Sequence, residues 1–422
     1  MVRRPSLSAL LPDCPRVGQV LSVDEYLASV LGGIDTLTPI ELPLSSVHGC
    51  VLAADVAAPW PLPPFDNSSM DGYAIFAADV AWASADNPIE LQVIDDVPAG
   101  YRSTESVTPG HAIRIMTGAP MPDGADAVVP VESTDGGTTT VSITAPVDSG
   151  AYIRRAGEDV LSGEGILSAG TLIGSRQVAI LAAVGCGLVY VHPRPRVAVI
   201  SSGSELVEPG LPLRHGLISD SNSYMLVAAA HEAGADAYRV GPIVDDEALF
   251  LSTVEDQLHR CDLILTSGGV SMGAYDTVKA VLSKVGTVEF TKVAMNPGMP
   301  QGHGFVGEEH VPIITLPGNP VSSYISFENF VRPVIRRMRG LPELFRPVVS
   351  AVCSDQLRSP AGKRQFARAR FLPSGMVEPT GTGQGSHVLG GLAAAEGLIV
   401  IPEDVTHVVP GQLVDVIDLR RD

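Results

Sequence analysis

The sequence predicts a multidomain protein of the α/β plus β class, and three observations lead to this prediction. The chain has 422 residues, which is more than one domain usually contains. From residue 193 onward, apolar strand patterns alternate with helical patterns, which is typical of a mainly parallel sheet covered on both faces. Short strand patterns separated by Gly, Pro and Asp fill residues 61–150 and follow residue 340, which predicts two small β domains.

The N-terminal part of the chain combines helical patterns with a proline-rich boundary. Residues 22–34, SVDEYLASVLGGI, carry apolar residues at helical spacing, and a second helix is predicted over 41–56, ELPLSSVHGCVLAADV. The segment WPLPPFDNSSMDGY then ends the helical pattern, because prolines at this density stop a helix. Turns and a helix return after residue 150. The β domain of 61–150 is therefore predicted to be inserted into a discontinuous linker domain of 15–60 and 151–192.

The α/β domain is predicted over residues 193–339, and the C-terminal β domain over 340–422. Four strand patterns, RVAVISSG, DAYRVGPIV, CDLILTSGG and HVPIITLPG, are each followed by a helical pattern. The last helix, from about Pro320 to Arg339, has apolar residues every three or four positions, which indicates one buried face. Its arginines, from Arg332 to Arg339, are expected on a solvated face.

Composition excludes several classes of partner and site. The net charge of −19 argues against broad binding to nucleic acid or to an anionic membrane. Five scattered cysteines without C-x-x-C spacing argue against a disulfide framework or a structural zinc site. No apolar run approaches 18 residues, and the first residues do not resemble a signal peptide. A cytoplasmic protein is expected.

Three loops of the α/β domain are candidates for binding a phosphate. SSGSE, TSGGVS and LPGNP each follow a buried strand directly, and ligands of open α/β sheets bind at the carboxyl ends of strands. Glycine allows the backbone to approach closely, so that N–H groups can face phosphate oxygens. Turn chemistry explains any one loop alone, but three at one sheet edge favour a phosphate-bearing ligand. The candidate binding residues are Ser202, Gly203, Ser267, Gly268, Gly269, Ser271, Pro317, Gly318, Asn319 and Pro320.

Several carboxylates have two interpretations each. Asp276 follows the second loop, where it could bind Mg²⁺ or act as a first-turn acid favoured by the helix dipole. Glu205, Asp245 and Asp246 repeat this ambiguity, and either aspartate could be a helix N-cap. In DNSSMDGY, residues 66–73, the Asp-Gly pair favours a turn, and the alternative is a carboxylate pair in a cleft between domains.

Two C-terminal segments carry polar residues of uncertain role. In GKRQFARARF, a strand would place Arg364, Phe366, Arg368 and Arg370 on one face, for which a solvated surface is the simple interpretation. QGSHVLGG places Ser386 in a glycine-rich turn with a histidine. A polar turn is expected there, because no companion residues have metal-ligand spacing.

Taken in order, several of these segments resemble the molybdenum insertases, which are molybdopterin molybdenumtransferases of the MoeA and gephyrin E-domain type. The resemblance covers roughly residues 18–420. PFDNSSMDGYA and LPGNPVS are highly specific. The motifs that carry it are PPFDNSSMDGYA, RIMTGAPMPDGADAVVPVE, IRRAGEDV, SSGSEL, TSGGVSMGAYD, LPGNPVSS and QGSH.

The resemblance implies an elongated four-domain homodimer whose third domain is a three-layer α/β molybdopterin-binding domain. It implies transfer of molybdate into the dithiolene of adenylylated molybdopterin, with release of AMP and a need for Mg²⁺. By position it implies catalytic roles for acidic and hydroxyl residues of the matching motifs, magnesium at two of them, and a molybdate site in the fourth domain. The catalytic residues that it implies are Asp71, Thr117, Glu205, Asp246 and Asp276. The metal ligands that it implies are Glu205 and Asp276, and the molybdate-binding residues are Arg368 and Ser386.

The sequence departs from the family pattern at NPGMP, where K-P-G-K-P is common. Asn296 and Met299 replace two lysines that are implied in holding an oxyanion, so either Lys292, Lys363, Arg364 and Arg368 compensate or molybdate binds poorly. Ser204 stands where the family usually has an aspartate. An active insertase is therefore weighed against a non-catalytic molybdopterin-binding scaffold and a molybdopterin adenylyltransferase-like enzyme. The adenylyltransferase and apo-molybdoenzymes are expected partners.

Overall fold

A computed structural model describes residues 20–268, 277–381 and 383–421, and its elements confirm the predicted multidomain α/β plus β class. The last long helix is continuous, because α6 and α7 are joined by the π-helical residues Phe327–Val331. The helices are α1 Val23–Leu31, α2 Ser175–Ala183, α3 Asn222–Glu232, α4 Glu247–Leu258, α5 Thr277–Val285, α6 Pro320–Ser326, α7 Arg332–Met338 and α8 Leu389–Ala393.

Within the described ranges the strands are from two to nine residues long, and β7 is the longest. The first fourteen are β1 Val20–Leu21, β2 Ile40–Pro43, β3 Val51–Leu52, β4 Val56–Ala57, β5 Asn67–Ser68, β6 Gly72–Ile75, β7 Ile89–Val97, β8 His111–Ile115, β9 Ala127–Pro130, β10 Thr140–Ile143, β11 Ile153–Arg154, β12 Gly165–Leu167, β13 Leu188–His192 and β14 Arg196–Ser202. The others are β15 Leu206–Val207, β16 Ile218–Ser219, β17 Asp236–Ile243, β18 Leu263–Ser267, β19 Glu289–Val293, β20 Met295–Asn296, β21 Pro300–Val306, β22 Val311–Leu316, β23 Val348–Cys353, β24 Leu357–Arg358, β25 Arg364–Phe371, β26 Met376–Pro379, β27 Gly397–Ile401, β28 His407–Val408 and β29 Leu413–Asp418.

The chain divides into two compact units. The first comprises the described residues of 1–40, 49–53 and 190–422, and the second comprises 41–48 and 54–189. The first contains a seven-stranded sheet of order β1-β19-β21-β22-β18-β14-β17 and a six-stranded sheet of order β20-β25-β26-β23-β29-β27. The second contains a five-stranded sheet of order β10-β7-β8-β6-β9. The finer division into four domains stays a prediction.

The seven-stranded sheet is covered on both faces, as the alternation of strands and helices predicts. In β14, Val197 and Val199 belong to one hydrophobic core with Leu226 of α3, while Ala198 and Ile200 belong to another with Phe250 of α4. Successive side chains of a strand point to opposite faces, so a continuous apolar run indicates a strand buried on both. The neighbours β22, β18, β14 and β17 are all parallel.

Three of the four arginines of the last helix are buried, so the expected solvated face is wrong for them, while Arg337 is partly exposed. Arg332, Arg336 and Arg339 have relative exposures of 1%, 9% and 4%. Arg339 donates to the carbonyl oxygens of Ala233 and Gly49, at 2.9 and 2.7 Å. Arg336 Nε donates to a carbonyl of the segment that follows the helix. Carbonyl oxygens outside the helix, one of them 290 residues away in sequence, thus accept hydrogen bonds from guanidinium groups that the amphipathic pattern alone placed in solvent.

The helix predicted over residues 41–56 is also wrong. These residues form β2, a 3₁₀ turn at Leu44–Ser46, β3 and the start of β4. Pro43 cannot donate a helical hydrogen bond, and Gly49 has φ of +80°, in the left-handed region that ends a helix. No helix of the described residues is long and apolar enough to cross a membrane.

Candidate functional site

The three predicted loops lie at one edge of the seven-stranded sheet. SSGSE begins within β14, TSG of residues 266–268 begins within β18, and LPGNP begins at the last residue of β22; these three strands are adjacent and parallel. Their carboxyl ends therefore meet, which is where open α/β sheets bind ligands. Gly269, Ser271 and Asp276 lie outside the described residues, so their predicted roles stay predictions.

The loops contact each other through glycine backbone. Gly268 has φ of +95°, and a Cβ atom there would lie 2.7 Å from the carbonyl oxygen of Ser202. A Cβ atom on Gly318 would lie 3.6 Å from the Cα atom of Gly268. A side chain at 268 would displace the neighbouring loop, so glycine is required here by close approach as well as by its backbone angle.

Carboxylates surround the first loop. Asp245 accepts hydrogen bonds from Ser202 Oγ at 3.2 Å and from the Ser204 backbone N–H at 3.1 Å. Ser204 Oγ accepts from the Asp245 N–H in return. Asp245 thus places a carboxylate beside the position where the family usually has an aspartate. The Glu205 carboxylate lies against Gly203, within 2.6 Å of where a Cβ atom would be.

Asp246, predicted by resemblance as catalytic, caps helix α4. Its side chain accepts the Leu249 N–H at 2.8 Å, which confirms the N-cap interpretation. A carboxylate used as a cap keeps further lone pairs, so its catalytic role stays a prediction.

The C-terminal glycine-rich turn lies against the third loop. Asn319 Nδ2 and Ser386 Oγ are 3.0 Å apart, and the backbone N–H of Val321 donates to the Ser386 carbonyl at 3.2 Å. Pro317 and Pro320 flank this contact, and Pro320 is the first residue of α6. The structure therefore brings together two segments that are 67 residues apart in sequence and were predicted to serve one site.

Arg368 holds the same turn from inside. The residue has no solvent exposure, and its guanidinium donates to the carbonyl oxygens of Val388 and Gly383, the latter at 2.6 Å. Burial lowers the pKa of this guanidinium from its ordinary value. The expected solvated face is therefore wrong for Arg368, and also for Phe366, which is 3% exposed.

NPGMP forms the strand β20 and the turn before β21. Asn296 pairs with Gln365 of β25, and Gln301 Nε2 donates to the Gly298 carbonyl at 2.6 Å. Of the cations considered as replacements for the two lysines, Arg364 makes a bidentate ion pair with Asp24 at 2.8 and 2.9 Å and contacts Glu403 at 3.0 Å. Arg364, like Arg368, is therefore already engaged.

A second candidate site lies in the other unit. Asp71 Oδ1 accepts from the Thr117 backbone N–H at 2.7 Å and from Thr117 Oγ1 at 2.8 Å. These hydrogen bonds, the backbone one first, lower the pKa of Asp71 below its usual range. Gly72 begins β6, where a Cβ atom would lie 1.9 Å from the carbonyl oxygen of Val129. Glycine is needed after Asp71 because the backbone of β9 lies too close to Gly72 to leave room for a side chain. The turn that the Asp-Gly pair favours is therefore not the only reason for glycine at this position.

The loop that carries Asp71 is fixed at its start by Asp66. Its carboxylate accepts the Ala156 N–H at 2.7 Å and pairs with Arg155 at 2.6 Å, and these contacts lower the pKa of Asp66. The backbone of Ser68 pairs with the segment after Thr117. The ionised and exposed carboxylate of Asp71 is therefore held in a defined position.

Sequence reasoning missed two residues that tie the loops together. Asp220 and Asn222 lie in SDSNS, at the start of the helical pattern that follows RVAVISSG, and they were given no role at the site. The structure shows that Asn222 contacts two of the three loops and Asp220 contacts the strand leading to the other. Among the described residues, no group of three or more His, Cys, Asp or Glu side chains could hold a metal ion.

Comparisons with known proteins agree with this architecture. The sequence matches the MoeA N-terminal region (domain I and II) over residues 21–185, a probable molybdopterin binding domain over 198–337 and the MoeA C-terminal region (domain IV) over 350–419. Molybdopterin molybdenumtransferase 2 of Mycobacterium tuberculosis is 47% identical over an alignment of 405 residues that covers 94% of this chain and 99% of the relative. Molybdopterin molybdenumtransferase 1 of that organism is 38% identical over 422 residues, with coverages of 95% and 99%. The solved structure of a molybdopterin biosynthesis MoeA protein from Pyrococcus horikosii aligns with a TM-score of 0.77 at 30% identity, covering 95% of this chain and 99% of the other. Agreement over nearly the whole length means that this chain belongs to the MoeA family.

Proposed function

We propose that this protein is a molybdenum insertase, a transferase that places molybdate in the dithiolene of adenylylated molybdopterin and releases AMP. The observation that carries the proposal is the convergence of three glycine-containing loops at the carboxyl ends of β14, β18 and β22, with Ser386 in contact with the third. Such an edge offers backbone N–H groups and hydroxyls to phosphate oxygens.

Each group has a part in this proposal. Ser202, Gly203, Ser267 and Gly268 would surround the phosphate region of the ligand, together with the loop of 317–320. Ser386, on a turn held by Arg368, would lie nearest the molybdate, which is a substrate. Asp71 is ionised at neutral pH and exposed, so it can accept a proton or a hydrogen bond from a ligand.

Magnesium fits the carboxylates near the first loop. Mg²⁺ commonly keeps several waters and binds one or two carboxylates together with substrate phosphates, so a closed cage of protein ligands is not needed. Glu205 and Asp245 flank this loop, and Asp276 is assigned to the metal by resemblance. The ion would supply positive charge beside the phosphates.

We further propose that the protein acts as a cytoplasmic homodimer in which Asp71 of one subunit faces the α/β loops of the other. The adenylyltransferase that makes the adenylylated pterin and the apo-molybdoenzymes that receive the cofactor are the expected partners. Sedimentation and small-angle scattering of the purified protein test the dimer directly.

The activity is tested by incubating the protein with adenylylated molybdopterin, Mg²⁺ and increasing molybdate, and measuring AMP. Molybdate-dependent release that is lost in Asp71→Ala is expected. Asp135→Ala is the matched control, since Asp135 is also an exposed carboxylate that accepts backbone N–H bonds in the same unit. Tight pterin binding without AMP release at any molybdate concentration would overturn the insertase.

A non-catalytic molybdopterin-binding scaffold is the alternative raised by the departure from the family pattern at NPGMP, and the comparisons do not favour it. NPGMP lacks both lysines, while Arg364 and Arg368 are engaged by carboxylates and carbonyls. Replacing Asn296 and Met299 by lysine separates the two. If the wild-type site binds molybdate weakly, the double variant raises molybdate affinity by roughly tenfold or more, about one charge-assisted hydrogen bond. No gain means that this site holds the oxyanion by other donors.

A further inference from the structure

A short segment at the start of helix α3 contacts all three ligand loops or the strands that lead to them. We infer that Asn222 is a positioning residue that fixes the loop after β18 against the loop after β22, while Asp220 fixes helix α3 to β14. The inference rests on the proposed function only in naming adenylylated molybdopterin as the ligand. Neither side chain belongs to a motif that the sequence analysis assigned to the site.

The amide of Asn222 bridges two loops. Its Nδ2 atom lies 2.7 Å from Ser267 Oγ and 2.7 Å from the Gly318 carbonyl oxygen. A carbonyl oxygen only accepts, so the atom that faces Gly318 must be the nitrogen, and the orientation of the amide is fixed by chemistry. Both N–H bonds are thereby used. The Oδ1 atom is buried and has no partner within the described ranges, so the nitrogen alone anchors the amide.

Asp220 fixes the helix start that carries Asn222. The residue is 1% exposed, and its carboxylate accepts from Ser201 Oγ at 3.2 Å and from the Ser223 N–H at 3.1 Å. Arg239 supports the same corner, with Nε donating to Ser223 Oγ at 2.6 Å. Ser201 lies in β14 and is the first residue of SSGSE, so the helix start and that loop are held by one buried carboxylate.

The contacts continue from Asn222 to the C-terminal turn. Gly318 is followed by Asn319, whose amide reaches Ser386 at 3.0 Å. Two asparagines therefore connect Ser267, the loop of 317–320 and the Ser386 turn in one series of hydrogen bonds. Donors must be placed to within a fraction of an ångström to stabilise a phosphate ligand, so a residue that sets loop spacing controls affinity without contacting the ligand.

The variants Asn222→Ala and Asn222→Asp test this inference, with Asn329→Ala as the matched control. Asn329 is also half-buried and helical, and its amide donates to the Ile325 carbonyl at 2.8 Å, which is a local contact within the helix. Two measurements are needed: the Kd for adenylylated molybdopterin, and amide hydrogen exchange of the ligand-free protein over 263–268 and 311–320.

In Asn222→Ala, we expect Kd to rise about tenfold, the equivalent of one or two lost hydrogen bonds, and exchange to quicken in both segments. Asn222→Asp should be more severe, because a carboxylate oxygen would face the Gly318 carbonyl oxygen. Asn329→Ala should leave Kd and exchange in both segments unchanged. If a variant only destabilised the fold, the fraction of folded protein and the maximal rate of AMP release would fall, but the Kd of the remaining folded protein would not rise.

Unchanged exchange in Asn222→Ala would overturn the inference, whatever the ligand. Faster exchange with an unchanged Kd would also overturn it, because the contact would then be structural only. If the wild-type protein does not bind adenylylated molybdopterin, the proposed function fails, while the exchange measurement still decides whether Asn222 holds the two loops.

Discussion

Arg368 could either bind molybdate directly or support the turn that carries Ser386, and replacing Arg368 distinguishes these two roles. The structure places its guanidinium against the carbonyl oxygens of Val388 and Gly383, and against Gln384 Oε1 at 3.4 Å. In Arg368→Lys the charge stays, but an ammonium cannot match both carbonyls as a planar fork does. Arg370→Lys is the matched control, because Arg370 lies two residues along the same strand, is exposed and pairs with Glu378 at 2.6 Å.

The expected cost follows from the lost contacts. Lysine would keep one of the two carbonyl contacts, and leaving a buried acceptor without a donor costs about 1–3 kcal/mol. We therefore expect Arg368→Lys to lower the free energy of unfolding by about 2 kcal/mol, which corresponds to a fall in Tm of roughly 2–3 °C for a chain of this size. Arg370→Lys should change it by less than about 1 kcal/mol, as is usual for an exposed ion pair.

Thermal unfolding and amide exchange measure this effect without any ligand. The Val321 amide is the reporter, because it donates to the Ser386 carbonyl and should exchange faster when the turn loosens. AMP release against molybdate then gives the functional consequence. A Tm and a Val321 exchange rate equal to wild type, together with a large rise in the molybdate concentration needed, would refute the supporting role and identify Arg368 as a direct ligand.

Two further predictions concern a carboxylate and a buried histidine. Asp71→Asn keeps the shape beside Thr117 but removes the charge, and we expect AMP release to fall by about a hundredfold or more, measured at saturating pterin; Thr117→Val, which keeps the backbone N–H bond to Asp71, should lose less. His303 contacts Ser29 Oγ at 3.0 Å, and burial lowers its pKa to about 4. As pH falls below about 6.5, His303 is therefore protonated in the unfolded chain before it is protonated in the folded protein. The free energy of unfolding then falls between about pH 6.5 and pH 4, by up to about 3 kcal/mol. Urea unfolding of His303→Gln should show a flatter pH dependence in this window, whereas the exposed His407→Gln should not.

The sequence was sufficient for features that depend on local pattern. Continuous apolar runs identified β14, β18 and β22, and the glycines after them indicated the sheet edge that is the candidate ligand site. The cap of helix α4 by Asp246 also follows from a local signal, a polar residue directly before a helical pattern. These features need only the chain within a few residues of themselves.

Features that depend on distant partners were missed. Arg339 is buried because its guanidinium meets the Gly49 carbonyl, 290 residues away. Asn222 contacts Ser267 and Gly318, 45 and 96 residues away. An arginine or asparagine has the same local pattern on a solvated helix as in a satisfied interior, so burial of these side chains becomes visible only when the tertiary fold supplies the acceptors. The Arg368 prediction failed for the same reason.

A protein with a net charge of −19 that binds a phosphate-bearing ligand and an oxyanion needs local donors in place of long-range attraction. In this fold Arg364 is paired with carboxylates and Arg368 is turned toward carbonyl oxygens. Backbone N–H groups, serine hydroxyls and asparagine amides lie at the loop edge, and such neutral donors are effective only when their spacing is fixed. The buried arginine beneath Ser386 and the amide of Asn222 supply that fixed spacing. The charged guanidinium of Arg368 therefore stabilises the loop conformation, and we expect the neutral groups of the loops to contact the ligand.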